Sequence, residues 1–346
     1  MKVALDATYS VGRNLSGVGV YSREILSGLA AAHPEAGFLY CYRPHRFLRS
    51  LGLRLPANSS RRLLGERWAS FSAELLHGLN QRLPSKAVLP RAVCTFHDLF
   101  VLTGDYSSGE FRRRFAAQAR EAAQRADLII AVSEFTARQV EATLGVERAR
   151  LRVSPHGVHK PDTEPLPVSA REKMVLHVGA LQRRKNIVRL VEAFGQLGPE
   201  WRLVLAGSLG FEAEEILRCI EASPSRPRIR VLGYAVDRQL KELYKRAAIF
   251  AFPSLDEGFG MPVLEAMAAG VPVLTSNRSA LPEVAGESAL LVDPTDVTAI
   301  AAGLHRLALH DDLRELLVER GLKRAACFTW DAAVAKTWAV YRELLP

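Results

Sequence analysis

The sequence predicts an α/β protein built from two Rossmann-like, doubly wound domains that face each other across a cleft. Three observations carry this expectation. Short, near-continuous apolar runs alternate with amphipathic stretches along the whole chain, the pattern of parallel strands covered on both faces by helices. A proline-rich segment divides the chain near its middle, and 346 residues is about twice the usual domain length. The hydrophobic fraction of 48% and charged fraction of 24% exclude a disordered, collagen-like or coiled-coil chain.

In the first half, 3–8, 38–42, 92–97, 128–133 and 151–154 read as strands. Helical periodicity lies between them near 20–32, 61–83, 110–126 and 134–145. Residues 160–167 hold three prolines without either periodicity and read as a linker. In the second half, strand 174–179 leads to a helix expected to be capped by Asn186, with Ile187, Leu190, Val191, Phe194 and Leu197 on one face. Strand 202–206, helix 212–222, strand 229–233, a helix capped by Asp237, and strands 249–253 and 273–276 follow. A last helix spans 332–344. The expected domains are therefore 1–160 and 161–328, with 329–346 returning to the first.

Four cysteines, Cys41, Cys94, Cys219 and Cys327, lie far apart without a C-x-x-C pair, so reduced thiols are expected. The opening Met1–Asp6 reads as a strand and not as a charged, then apolar, leader, so a cytoplasmic setting is expected.

Residues 253–270, Pro-Ser-Leu-Asp-Glu-Gly-Phe-Gly-Met-Pro-Val-Leu-Glu-Ala-Met-Ala-Ala-Gly, carry the most chemistry. An apolar strand runs into a glycine-bearing loop, Pro262 suits a helix start, and Gly270 suits its left-handed end. Loops at the carboxyl ends of parallel strands are where ligands bind such sheets. Gly258 and Gly260 let the backbone approach a ligand, and the amides opening the helix suit a diphosphate. Glu257 and Glu265 stand eight positions apart, so one carboxylate can reach hydroxyls beside the phosphates and the other hydroxyls further along the ligand. Taken singly, each is an ordinary surface acid. The combination is not.

This segment resembles the E-x7-E signature of retaining nucleotide-sugar glycosyltransferases of family 4, which have the two-domain GT-B fold. The similarity continues in His177-Val-Gly-Ala-Leu-Gln-Arg-Arg-Lys-Asn-Ile187, Leu203–Gly207, Val231–Tyr234, Leu281–Gly286 and Ala289–Pro294. The resemblance implies that Glu257 lies against the donor sugar, with the amides of Phe259, Gly260 and Met261 near sugar and phosphate. It implies that Glu265 binds the ribose, that Gly179 begins the phosphate loop, that Arg184 and Lys185 clamp the diphosphate, and that Tyr234 lies beside the base. Many members have Arg after the loop glycine; this chain has Ala180, so the phosphates would depend more on Arg184 and Lys185.

In the first half, Ser16-Gly-Val-Gly-Val-Tyr21 follows the first strand too late for a dinucleotide fingerprint. The resemblance implies a glycine turn here facing the donor phosphates, matched by Gly17, and a strand-end histidine near the donor sugar, matched by His97. His156 stands where members often have Asn.

The resemblance implies transfer of a hexose, of mannose type, from a nucleoside diphosphate sugar to a hydroxyl acceptor with anomeric retention, in glycan, lipid-linked or surface polysaccharide synthesis. The chain contains no Asp-x-Asp pair, and Arg184, Lys185 and the helix amides can offset the leaving charge, so neither metal nor other cofactor is expected. Other enzymes of this architecture, such as an epimerase or a phosphorylase, require signatures that are not seen. Charge is uneven. Residues 1–160 hold 23 basic against 13 acidic side chains, +10, and the remainder 23 against 24, −1. The excess suggests an anionic acceptor or an anionic membrane surface. Nucleic acid is disfavoured because the arginines lack interleaved aromatics and an accompanying motif. The expected helix over 61–83, with Leu64, Trp68, Phe71, Leu75 and Leu79 beside Arg61, Arg62, Arg67 and Arg82, reads as core or as a membrane-docking face.

Overall fold

Strands that are apolar along their whole length must be covered on both faces, and in the computed structural model, which describes residues 1–345 except 13, 67–71 and 87, the central strands of both sheets are buried almost from end to end. The strands of the described residues are β1 (Lys2–Asp6), β2 (Gly37–Tyr42), β3 (Ser59–Leu63), β4 (Leu75–Gly78), β5 (Arg91–Phe96), β6 (Leu128–Ala131), β7 (Leu151–Val153), β8 (Glu172–Val178), β9 (Arg202–Ala206), β10 (Ile229–Gly233), β11 (Ala247–Phe252), β12 (Val273–Ser276) and β13 (Leu290–Val292). They form two sheets, in the orders β3-β2-β1-β4-β5-β6-β7 and β10-β9-β8-β11-β12-β13. Every neighbouring pair is parallel. Each order reverses once, between β1 and β4 and between β8 and β11, and the crevice at such a reversal is where these sheets bind ligands.

The chain divides into two units, Met1–Gly157 with Thr329–Pro346, and Val158–Phe328. In the first, Cys94, Phe96 and Ile129 of the sheet are sealed by Phe115, Ala119 and Ala122 of the Gly109–Arg125 helix. In the second, Leu203, Leu205 and Ile249 meet Ile187, Leu190 and Phe194 of the Ile187–Phe194 helix. All four cysteines are free, and burial pushes the Cys41 thiol up to about 12. Among the described residues no helix is long and apolar enough to cross a membrane.

Among the described residues of 61–83 the expected helix is not found. Its ends are strands β3 and β4, and Leu64, Leu75 and Leu79 are core residues. Trp68, Phe71 and Arg67 lie outside the described residues. The error has a physical source: β4 is a central strand buried at every position, so it lacks the alternation that separates a strand from a buried helix turn. Two expected caps also differ. Asn186 takes a left-handed conformation, φ 60°, and its amide donates to the carbonyls of Pro253 (3.0 Å) and Pro294 (2.6 Å) without capping the helix. Asp237 is the first residue of its helix, and Val236 stands at the cap position.

The Trp330–Leu344 helix packs within the first unit. Thr329 Oγ1 accepts from the Ala332 amide at 3.1 Å to start it, and Trp338 stacks on His33 with ring centroids 3.7 Å apart. Deeper in, the Tyr341 hydroxyl is 2.6 Å from His77 Nδ1, and His77 Nε2 is 2.8 Å from Thr95 Oγ1. Burial, then the charge of His97, pushes the His77 imidazole down to about 3, so it stays neutral in this network. Tyr341→Phe strands one buried ring nitrogen, which typically costs about 1–3 kcal/mol. We expect a lower urea midpoint with an unchanged slope in equilibrium unfolding of that variant.

Candidate functional site

In the second unit the reversal between β8 and β11 brings three loops together at the carboxyl edge of the sheet. The loop after β8 begins at Gly179, whose φ of +151° suits glycine. It is pressed against its neighbour: a side-chain carbon added to Gly207, after β9, would lie 1.8 Å from the Gly179 carbonyl oxygen. The chain then tightens into a 3-10 turn, Arg183–Lys185, and enters the Ile187–Phe194 helix. The loop after β11 lies alongside, joined by the Leu255 amide donating to the Arg184 carbonyl at 2.8 Å and by Arg184 Nη1 donating to the Asp256 carbonyl at 2.8 Å.

These two loops place two cations on one buried carboxylate. Arg184 Nη1 is 2.8 Å and Lys185 Nζ 2.5 Å from the same oxygen, Oε1, of Glu257. Glu257 is only 6% exposed and Lys185 7%. Burial opposes ionisation of the Glu257 carboxyl, but the charges of Arg184 and Lys185 and their hydrogen bonds outweigh it and hold the group at about 2. Below, Lys185 Nζ stands 4.5 Å from the centroid of the Phe252 ring, which stacks on His177 at 5.3 Å. His177 Nδ1 donates to the Ala251 carbonyl at 2.9 Å, and burial pushes the ring down to about 4, so it is neutral.

Glu257 is fixed from behind as well. Its amide donates to Ser279 Oγ at 3.1 Å, and its carbonyl accepts from the Ala280 amide at 3.2 Å. Phe259 is buried edge-on against Phe328, with centroids 5.9 Å apart. Gly260 follows with φ +101°, and a side-chain carbon there would lie 2.6 Å from Leu281 Cδ2, so both conformation and space require glycine. The Met261–Ala268 helix starts at once, with Met261 half-buried at its first position. One turn further, the Tyr244 hydroxyl donates to Glu265 Oε2 at 2.9 Å; burial raises the Glu265 carboxyl above its ordinary range despite that bond. Tyr234 stands just past Gly233 at the end of β10, 36% exposed. The structure therefore gathers Gly179, Arg184, Lys185, Glu257, Phe259, Gly260, Met261 and Glu265 on one edge, with Tyr234 two strands away from β8.

In the first unit, Gly17 is the exposed first residue of the Gly17–Ala32 helix, whose start is capped by Ser16 Oγ accepting from the Gly19 amide at 3.4 Å. The packing glycine is Gly19, where an added carbon would lie 2.8 Å from the Tyr9 carbonyl oxygen. His97 sits beyond the end of β5, with Nε2 donating to the Leu79 carbonyl at 2.9 Å. Its ring stacks on His156 at 5.3 Å and meets Tyr21 edge-on at 4.7 Å. Burial pushes His97 down to about 4, so Nδ1 is a neutral acceptor. His156, standing where members of the family often have Asn, is thus part of an aromatic cluster with His97, Tyr21 and Trp330.

Tyr244, Ser279, His177 and Phe252 were not legible as site residues. Tyr244 reads as an apolar-face helix residue, and its partner Glu265 lies 21 positions away, beyond any local periodicity. Ser279 holds Glu257 from a loop 22 positions on, in a left-handed conformation with φ 59° that nothing in the local sequence announces.

Two doubly wound parallel sheets of this order, one with a buried carboxylate held by two cations beside a helix start at its reversal point, fit the GT-B architecture of glycosyltransferases. Comparison with known proteins agrees. The family described as "Glycosyltransferase Family 4" matches residues 15–160, and "Glycosyl transferases group 1" matches residues 160–324. The chain is 32% identical to the O-antigen chain mannosyltransferase B of Escherichia coli, covering 99% of this chain and 100% of that protein. It is 31% identical to the serotype-specific mannosyltransferase WbdA of E. coli over 72% of this chain, spanning 33% of that longer protein. Among solved structures it resembles sucrose-phosphate synthase from Thermosynechococcus elongatus, with TM-score 0.81, 22% identity and 99% of each chain covered. It likewise resembles Anabaena HepE in complex with UDP and glucose, with TM-score 0.78, 16% identity, and 99% and 100% coverage. The chain belongs to the family 4 type of glycosyltransferases.

Glu257 gives a pH test of this edge. A carboxyl whose folded value is depressed contributes stability above its unfolded value and loses it as pH falls through the folded value. With Glu257 held at about 2 against an ordinary 4.5, that contribution, about 3 kcal/mol, is complete above about pH 5 and is lost between about pH 4.5 and 2. In Glu257→Gln, urea unfolding across that window should give a flatter stability curve, and a curve as steep as wild type would sink the assignment.

Proposed function

We propose that the protein is a retaining, metal-independent mannosyltransferase acting in surface polysaccharide synthesis. It would move mannose from a nucleoside diphosphate sugar, GDP-mannose in preference to UDP sugars, to a hydroxyl of a growing or lipid-linked glycan. The observation that carries the reading is the buried meeting of Arg184 and Lys185 with Glu257 at the reversal point of the second sheet. Support for the sugar comes from the relatives, several of which are named mannosyltransferases and one an O-antigen chain enzyme.

In this reading the bond between the sugar's anomeric carbon and the diphosphate oxygen breaks, and its electron pair goes to the leaving diphosphate. Arg184 and Lys185, already desolvated and held by Glu257, meet that charge without reorganising, and the amides from Phe259 to Met261 at the helix start add to the positive potential. Two cations against one carboxylate leave one positive charge for the phosphates. The acceptor hydroxyl attacks from the same face, and its proton passes to the departing phosphate oxygen, which retains the anomeric configuration. Glu257 orients the sugar with whatever capacity the cations leave free. Glu265, carried with its Tyr244 partner, binds the ribose, and Tyr234 borders the base. The first unit takes the acceptor, and His97 stays a neutral ring there, held at about 4 by burial, with Nε2 on the Leu79 carbonyl and Nδ1 3.5 Å from His156 Nε2.

Two experiments test this. With GDP-mannose as donor, Arg184→Ala and Glu257→Ala should each lower the transfer rate by about 10²–10³, the usual effect of removing one stabiliser of developing charge; wild-type turnover in Glu257→Ala would remove the site assignment. A chelator should leave the rate of the wild-type enzyme unchanged. Loss of transfer on chelation, restored by manganese, would refute metal independence, and a higher kcat/KM with a UDP sugar would refute the donor choice.

A further inference from the structure

Residues 44–65 contain five arginines, Arg46, Arg49, Arg54, Arg61 and Arg62, and no acidic side chain. The same stretch exposes large apolar groups: Leu48 is 77% exposed, Leu51 54%, Leu53 44% and Leu63 56%. Leu64, directly after them, is buried, so the stretch divides sharply between core and surface. A single exposed leucine needs no explanation, but four interleaved with arginines in one segment do.

The elements join these residues into one surface. Leu48 and Arg49 lie on the short Pro44–Ser50 helix, and Leu51, Leu53 and Arg54 lie on the loop that follows. Arg61 of β3 reaches back to this loop, donating through Nη2 to the carbonyls of Ser50 (2.7 Å) and Leu53 (2.9 Å). Side chains alternate along a strand, so Leu63 shares the face of β3 that carries Arg61. β3 is an edge strand of the seven-stranded sheet, so nothing in that sheet lies beyond it.

We propose that this surface docks the protein on an anionic lipid bilayer. Leucines at this exposure can enter the boundary between headgroups and acyl chains, while arginines hold their guanidiniums among the phosphates. The absence of any carboxylate in the segment makes the complementarity one-signed, as an anionic surface requires. The excess positive charge of the first 160 residues thereby acquires a location. This docking does not depend on the identity of donor or acceptor.

The test is sedimentation of the full chain with phosphatidylcholine vesicles, with and without phosphatidylglycerol. Wild type should sediment with the phosphatidylglycerol vesicles, stay in solution with phosphatidylcholine alone, and be released by salt. Combined Arg49→Ala and Arg54→Ala should lower partitioning roughly thirtyfold. Combined Leu48→Ser, Leu51→Ser and Leu53→Ser should lower it at least about tenfold. Both variants should keep the wild-type melting midpoint and donor turnover, which separates failure of docking from failure of the transferase reading. The proposal is overturned if wild type ignores phosphatidylglycerol, if it binds neutral vesicles equally, or if both folded variants sediment like wild type. Should a variant melt early, the salt series on wild type decides: binding that salt leaves intact overturns it.

Discussion

Two cations, buried Lys185 and largely buried Arg184, share one carboxylate oxygen and hold the second unit's working edge together. Arg184 and Lys185 come from the turn after β8, and Glu257 from the loop after β11. Without the carboxylate, two desolvated positive charges would sit side by side on neighbouring loops, an arrangement whose cost far exceeds that of an exposed ion pair. With it, the Leu255 amide and the Asp256 carbonyl can also bond Arg184, and the loops close into one piece. The later features rest on that closure: Ser279 behind Glu257, Gly260 against Leu281, and the helix that starts at Met261.

The first unit repeats the strand order but fills the corresponding edge differently. His97 and His156 are buried and neutral and cluster with Tyr21 and Trp330, so polarity there comes from oriented ring nitrogens and not from net charge. Several arginines are structural. Arg150 Nη2 donates to the Ala123 carbonyl at 2.6 Å, at the end of the Gly109–Arg125 helix, and Arg61 ties a surface loop to an edge strand. In the second unit Arg171 donates to the carbonyls of Tyr244, Ala247 and Ala269. Part of a basic composition is thus spent on orphan carbonyls at helix ends, and only the remainder faces outward.

Much of this was legible in the sequence because local physics wrote it. The apolar strand before Gly179, and the glycine-bearing loop and helix start after β11, are short-range patterns, and the structure places Arg184, Lys185, Glu257 and Glu265 on one edge. Legibility failed where long-range burial decides. β4 is buried on both faces, so its pattern reads as helix. Asn186 looks like a cap, yet its amide serves carbonyls 67 and 108 positions away. Tyr244 and Ser279 reach their carboxylate partner across strands, and no spacing rule connects them to it.

The return of the last helix has a consequence for biosynthesis. His77, in the middle of the first sheet, waits for a tyrosine 264 positions later, and His33 waits for Trp338. Domains usually fold in the order in which they leave the ribosome. Here the second unit, Val158–Phe328, is complete in sequence before the first, which lacks its residues from Thr329 onward until the second has been made. The nascent chain therefore carries an unfinished N-terminal unit through the synthesis of its neighbour, and the eighteen residues from Thr329 to Pro346 close it.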